Sequence, residues 1–395
     1  MTKVSRAILL IASALVVIVL LGGGFALRVG AAESSYRQPA RFAEILSLVM
    51  ENYVDEVAMD GLLQGAYQGM LGGLDPNGAF LTPGEVAEWR SGGPVATAWP
   101  GIGVLRLGRS LQVVSIAPES PAEEVGIEVG DQIRSIDERM ARELSLAQAR
   151  RILGGEPGSS VKLEIFRPHD NFRRLNLEVP RAPRKGRVYD LSVTRGTAVL
   201  ELRDLERLAI EDLRQELDDV RSRGVERLLI DLRDFAEGSP RQIAAFAGIF
   251  AGEGTLLRLR DGSGRQVEVV ENDPAPDPWV GSLAVLVNGA SAGAAEALAA
   301  LAREMGGGEV YGEATYGLGA EPRLYELEGG YGLLVSATRW ETANGGSWNR
   351  DGVEPDHLIR GSGADHSEVL ETQLEQVLDL LEDEPQEADA PARAA

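Results

Sequence analysis

Apolar residues recur along this chain with several different periods, and each period predicts its own kind of element. Ala7 to Leu27 is almost continuously apolar, preceded by Lys3 and Arg6. That run is long enough to cross a bilayer core, and its basic flank predicts the N-terminus inside and the rest outside. The competing reading is a signal peptide cut near Ala31 or Ala32. The glycines at 22–24 and Arg28 leave a long gap before such a site and favour an uncleaved anchor. Both readings export the bulk of the protein, to the extracytoplasmic face of the cell membrane if anchored or to the periplasm if cleaved.

From Arg41 to Trp89 the spacing turns helical: Phe42, Ile45, Leu46, Val49 and Met50, then Leu62, Leu63, Tyr67 and Met70. Leu74-Asp75-Pro76-Asn77-Gly78 interrupts the pattern as a turn. Val161 to Ile165 alternates as a half-buried strand does. Ala198–Leu202, Arg227–Asp231 and Leu283–Val287 are apolar runs suited to buried strands, and Leu334–Thr338 is a late strand. Leu146–Leu153, Ile210–Ser222 and Arg241–Phe250 read as helices. Ser145 and Gln148 fit a capping box at the first of them. A last helix runs from about Ser367 to Leu381 with Ser367 as its N-cap. Glu382 to Ala395 is acidic and rich in alanine, which predicts disorder. No internal repeat is present.

Composition narrows the chemistry. Lys+Arg is 39 and Asp+Glu is 61, a net charge of −22, which argues against nucleic acid and anionic lipid headgroups as partners. There is no cysteine, and the three histidines (His169, His357 and His366) form no HExxH or other close pair. No metal or other cofactor is implied. The lysines are Lys3, Lys162 and Lys185, with none beyond residue 185. Arginine cannot serve as a general base in place of lysine. A serine–lysine dyad in the C-terminal half therefore has no base.

Gly101-Ile102-Gly103-Val104 fits a loop whose backbone amides converge on a peptide's terminal carboxylate, beside a strand edge that can add a peptide strand. Ser120-Pro121-Ala122 and Val125-Gly126-Ile127-Glu128-Val129-Gly130-Asp131-Gln132-Ile133 follow at suitable spacing. Together with the Leu146–Leu153 helix and the closing strand Val161–Ile165, this segment resembles a PDZ domain of the bacterial protease-associated form. The resemblance implies peptide C-termini as ligands, with the helix lining the groove opposite the strand.

Two later segments carry a second resemblance. They are Val287-Asn288-Gly289-Ala290-Ser291-Ala292-Gly293-Ala294-Ala295-Glu296 and Gly312-Glu313-Ala314-Thr315-Tyr316-Gly317-Leu318-Gly319. They resemble the C-terminal processing peptidases, or tail-specific proteases, which read V-N-G-G-S-A-S-A-S-E and G-x-x-T-F/Y-G-K-G-x-x-Q. Gly352-Val353-Glu354-Pro355-Asp356 matches that family's G-I-E-P-D, and Asp231-Leu232-Arg233 begins its D-L-R-N-N-P-G-G. Glu51 to Asp55, Leu74-Asp75-Pro76 and Phe80 to Pro83 resemble its N-terminal helical region, which also implies self-association. By resemblance the nucleophile falls on Gly293, the base on Leu318 and the glutamine that orients the base on Pro322. The oxyanion-loop glycine falls on Glu237, a carboxylate that would oppose a developing oxyanion if it pointed inward.

The resemblance implies a multi-domain α+β protein with an N-terminal segment (1–33), a helical cap (34–95), a PDZ domain (96–182), a crotonase-like α/β peptidase-type domain (183–360) and a C-terminal helix and tail (361–395). The leading expectation is a pseudopeptidase that binds hydrophobic protein C-termini as an adaptor or regulator, with itself or an active family relative as a further partner. The alternative is an active serine endopeptidase with a displaced site, in which Ser291 would act with His357 or a carboxylate. Ser291 otherwise reads as a helix N-cap, and Glu296 as a structural residue. A third reading is a purely structural envelope protein.

Overall fold

A computed structural model of the chain describes residues 39–91, 98–108, 110–272 and 278–383. The apolar segment Ala7–Leu27 and the acidic tail beyond residue 383 lie outside the described residues. Among the described residues no helix is long and apolar enough to cross a membrane. The chain divides into two compact units, Met1–Ala66 and Tyr67–Ala395.

The N-terminal apolar pattern does not form one continuous helical region. Residues 39–52 form α1, residues 53–58 leave the helix, and α2 is Met59–Gly72. The turn at 74–78 leads into a short strand β1 (Ala79–Leu81), and α3 is Pro83–Arg90. Asp75 makes that turn, its Oδ1 accepting from the amides of Asn77 (2.8 Å) and Gly78 (3.1 Å). Thr82 and Glu85 cap α3 reciprocally, with Pro83 at its first position. Phe42, Ile45 and Met50 on α1 are exposed, although their spacing predicted a buried stripe.

The next elements are β2 (Ile102–Leu107), β3 (Ser110–Ile116), α4 (Pro121–Glu124), β4 (Gln132–Ile136), β5 (Arg139–Met140), α5 (Leu146–Leu153), β6 (Ser160–Arg167) and β7 (Arg173–Pro180). The sheet order is β2-β3-β4-β6-β7 with β5 on β4, so β2 is an edge strand. Val161–Ile165 does not close this sheet; β7 pairs along the whole of β6. α5 begins where the Ser145 and Gln148 capping box predicts. Its apolar residues Leu146, Ala149 and Leu153 are buried against Val104, Val113 and Ile136. Arg181 closes its C-terminal end, donating to the carbonyls of Leu153 (2.9 Å) and Ile152 (2.8 Å), where the helix dipole favours a cation.

The remaining elements are β8 (Tyr189–Thr194), β9 (Thr197–Leu202), α6 (Ile210–Ser222), β10 (Arg227–Asp231), α7 (Pro240–Ala247), β11 (Gly254–Asp261), β12 (Gln266–Asn272), β13 (Ser282–Val287), α8 (Ala294–Gly306), β14 (Glu309–Gly312), β15 (Ala320–Glu326), β16 (Gly332–Thr342), β17 (His357–Leu358) and α9 (His366–Asp383). One sheet runs β17-β14-β13-β10-β9-β8, parallel except for the β8–β9 hairpin. A strand's side chains alternate between faces. Leu200, Ile230 and Val285 therefore join α6, α7 and α8 in one core, while Val199, Leu229 and Leu286 join α9 in another. Burying each such side chain contributes about 1.5–3 kcal/mol, so both faces are strongly specified. The second sheet, β1-β16-β11-β12 with β15 on β16, was only partly foreseen through the late strand. Ser367 does not cap α9. It lies within the helix, and Asp365 supplies the cap by accepting from the amide of Glu368 at 3.0 Å.

Candidate functional site

The parallel sheet delivers β13 and β10 side by side, and the loops leaving their C-terminal ends build the site. This is where open α/β sheets place ligands. After β13, Asn288 folds the chain back on itself. Its Oδ1 accepts from the amides of Ala290 (3.0 Å) and Ser291 (3.1 Å), and its Nδ2 donates to Asp234 Oδ1 (2.8 Å). Asp234 sits at a φ of 57° and also meets His366 Nε2 at 2.6 Å. α9 is thereby tied to the loop after β10.

Ser291 is neither a helix N-cap nor an exposed hydroxyl. It is fully buried, three residues before α8. Its hydroxyl donates to the Leu232 carbonyl at 2.8 Å and accepts from the Asn288 amide at 2.9 Å. It staples the turn to the end of β10. His357 belongs to a different group: it contacts Glu309 at 3.0 Å and stacks on Tyr311 with ring centroids 4.5 Å apart.

Gly293 is the residue before α8, with φ 52° and ψ −104°. That is a conformation side-chain-bearing residues enter only under strain, and it is the kind of strand-to-helix turn that exposes a nucleophile in hydrolases. The turn here falls on a residue with no side chain. A Cβ here would lie 2.9 Å from the Ala236 carbonyl oxygen. The same oxygen accepts from the Ala294 amide at 3.4 Å, and the Gly293 amide donates to Glu296 Oε2 at 2.8 Å. Two amides at the helix start thus have partners within the chain.

Glu296 joins the two motif segments. It is fully buried, and Oε1 accepts from the Thr315 hydroxyl (2.5 Å) and the Gly317 amide (2.6 Å). Oε2 accepts from the amides of Leu318 (2.7 Å) and Gly293 (2.8 Å). Burial holds this carboxyl above its ordinary value, and the four hydrogen bonds offset that only in part. Thr315 is itself held by the Val353 amide at 2.7 Å, which brings the Gly352–Asp356 motif into the same knot. Sequence reasoning marked Glu296 as structural; the four donors it gathers come from two separate segments, the start of α8 and residues 315–318, and leave no local signature.

Leu318 is half-buried. With Tyr316, Ala290 and Ala236 it packs against the core of the β2–β7 domain, of which Ala292 forms part. The Tyr316 hydroxyl donates to the Arg106 carbonyl on β2 at 2.7 Å, and Arg150 on α5 reaches the Val104 carbonyl at 3.4 Å. Burial lowers the Arg150 guanidinium from its ordinary value, with Glu237 and Tyr316 acting the other way. The edge of β2 nearest α5 is thus partly occupied. Gly101 precedes this strand and Gly103 lies within it; close approach and a φ of 97° require glycine at the first, whereas the second abuts a rotatable hydroxyl. A Cβ on Gly101 would meet Ser120 at 2.1 Å, and one on Gly103 would meet the Ser115 hydroxyl at 2.1 Å. Ile102 and Val104 between and after them face the core.

Pro322 lies on β15 opposite Ser336, at a register shift against β16 where a missing amide is tolerated. Glu237 does not point at the start of α8. It pairs with Arg184, whose guanidinium lies 4.5 Å from the centre of the Trp99 ring and 3.7 Å from Asp204. Burial pulls the Arg184 guanidinium down, and Glu237 and Asp204 more than offset this, so its value rises.

A model of peptidase family S41 matches residues 196–359, which hold β9, β10, β13 and both motif segments. The chain carries an S41 peptidase domain. A PDZ domain model matches residues 112–167. Carboxyl-terminal-processing peptidase 2, chloroplastic, of Arabidopsis thaliana is 32% identical over 299 residues, covering 72% of this chain and 58% of that protein. Carboxy-terminal processing protease CtpA of Bacillus subtilis (strain 168) is 23% identical over 313 residues, covering 78% of this chain and 66% of that protein. The chain thus spans somewhat less than two thirds of the length of these curated relatives. The solved photosystem II D1 C-terminal processing protease matches 87% of this chain and 97% of its own, with a TM-score of 0.60 and 24% identity, which shows the shared fold. This protein is a PDZ-containing homologue of the C-terminal processing peptidases.

Proposed function

We propose that this S41 homologue is an exported, membrane-tethered pseudopeptidase that binds hydrophobic protein C-termini through its PDZ domain and acts as an adaptor or regulator. The observation that carries the inactivity is the start of α8. Gly293 offers no nucleophile there, and the amides of Gly293 and Ala294 already have acceptors. The absence of any lysine beyond Lys185 supports the same reading. The apolar run Ala7–Leu27 motivates the tether and the export.

Incubating the purified chain with an unfolded test protein and a hydrophobic-tailed peptide is expected to give no discrete cleavage by mass spectrometry. Cleavage that persists through further purification would overturn the proposal. The competing reading, an active endopeptidase with a displaced site, needs Ser291 to act with His357 or a carboxylate, whereas the Ser291 hydroxyl bonds to the Leu232 carbonyl and to Asn288 and His357 bonds to Glu309. Ser291→Ala is accordingly expected to change the stability of the chain and no product in that spectrum.

Peptide addition at β2 competes with the Tyr316 hydroxyl for the Arg106 carbonyl. Tyr316→Phe removes that bond, worth about 1 kcal/mol net. It is expected to raise affinity for a hydrophobic C-terminal peptide by roughly fivefold, read by fluorescence anisotropy. No peptide binding in either form would sink the binding half of the proposal. The exposed Phe42, Ile45 and Met50 on α1 favour self-association as an additional property.

A further inference from the structure

Arg150 stands one helical turn after Leu146 on α5, beside the buried stripe of Leu146, Ala149 and Leu153. Its Nη2 reaches across to β2, where the Val104 carbonyl accepts at 3.4 Å. Among the described residues that long contact is the one hydrogen bond its guanidinium makes, and it has no ion pair. Neighbouring arginines are better held. Arg151 lies over the Trp89 ring at 5.0 Å and donates to the Glu88 carbonyl, Arg106 donates to the Ala141 carbonyl at 2.8 Å, and Arg167 pairs with Asp131 at 2.9 Å. Glu237 attracts Arg150 through space but is itself paired with Arg184. Burial disfavours the Arg150 charge. A cation that has shed water without gaining a partner is stabilised by a carboxylate that reaches it, and a guanidinium can take one through two parallel N–H groups.

A peptide added to the edge of β2 with its last residue at Gly101–Gly103 runs antiparallel to the strand. Ile102 and Val104 both face the core that α5 covers. Residues directly opposite one another in a sheet share a face, and successive side chains alternate. With the last residue of the peptide opposite Ile102, the third-last falls opposite Val104, about 7 Å further along. Its side chain then turns toward α5 at the place where the Arg150 guanidinium sits. The penultimate side chain turns to the other face.

We infer that, given peptide addition at β2 as proposed above, Arg150 selects peptides whose third-last residue is Asp or Glu. The ligand class narrows to C-termini with an apolar last residue and a carboxylate two positions before it. The arriving carboxylate takes over from the Val104 carbonyl as acceptor for the guanidinium, which leaves that carbonyl to the peptide backbone. The net charge of −22 repels acidic peptides as a whole. A preference for an acidic peptide over its neutral counterpart therefore has a local cause.

The test is fluorescence anisotropy of the purified full-length chain with labelled peptides of one common sequence and four endings: Glu-Ala-Leu, Gln-Ala-Leu, Lys-Ala-Leu and Ala-Glu-Leu. The first is expected to bind about tenfold or more tighter than each of the others, including the last, whose carboxylate is on the wrong face. Arg150→Gln keeps a good helix former and is expected to preserve the melting temperature while abolishing that preference. Equal binding of the Glu-Ala-Leu and Gln-Ala-Leu peptides, equal binding of the Ala-Glu-Leu peptide, or a preference that survives in folded Arg150→Gln would overturn the role of Arg150 and leave C-terminal binding standing. No saturable binding of any of the four would overturn C-terminal binding itself, and the selectivity with it.

Discussion

Glu296→Ala is expected to lower the unfolding free energy by about 3–5 kcal/mol. The change removes one buried carboxylate and leaves the amides of Gly293, Gly317 and Leu318 and the Thr315 hydroxyl without their acceptor. A buried donor stranded in this way costs about 1–3 kcal/mol, and the costs of neighbours are not additive. The four donors tie the start of α8 to the Thr315–Leu318 loop, so the loss also loosens that loop and, through Tyr316, its contact with β2. Glu296→Gln should be milder, because its amide oxygen still accepts from one pair of donors while its NH2 faces the other. Denaturant unfolding of the three proteins reads the series directly. A midpoint for Glu296→Ala within error of the parent would show that the knot is not a determinant of stability.

The combined reversion Gly293→Ser, Leu318→Lys and Pro322→Gln is expected to stay at least about 10²-fold less active than the same variant carrying Glu237→Gly as well. An oxyanion donor is worth about 10²–10³ in rate. Here the loop after β10 sets the Ala236 carbonyl where such a donor would be needed, 2.9 Å from the Cβ a serine would bring and bonded to the Ala294 amide. Restoring the three side chains leaves that carbonyl in place. Glu237 holds the loop through Arg184, and removing its side chain frees the loop to turn. Serine at 293 must also accept a φ of 52°, at a cost of roughly 1–3 kcal/mol. Single-turnover assays on an unfolded substrate would compare the two variants. Equal rates would show that the loop after β10 does not limit the triple variant.

The wording of the sequence goes a long way here. α5, α6 and β10 fall where period, capping residues and apolar runs predict them, because each is specified by neighbours a few residues apart. The second sheet was less legible. β12 alternates briefly as Gln266-Val267-Glu268-Val269 but exposes both valines, and β15 carries a proline and shows no alternation. The stripe on α1 was legible as a pattern but not as burial, since periodicity identifies an apolar face without saying what covers it.

By itself the sequence determined the family resemblance and set Gly293, Leu318 and Pro322 at the positions where that resemblance implies serine, lysine and glutamine. Those are properties of residue identity and spacing. Tertiary structure decided what the remaining polar groups do. Ser291 became a buried staple, Glu237 turned to Arg184, and Tyr316 reached β2. Each of these depends on partners from distant parts of the chain, and a hydrogen bond or ion pair is directional and short-ranged. No local pattern can encode which distant group will arrive within about 3 Å.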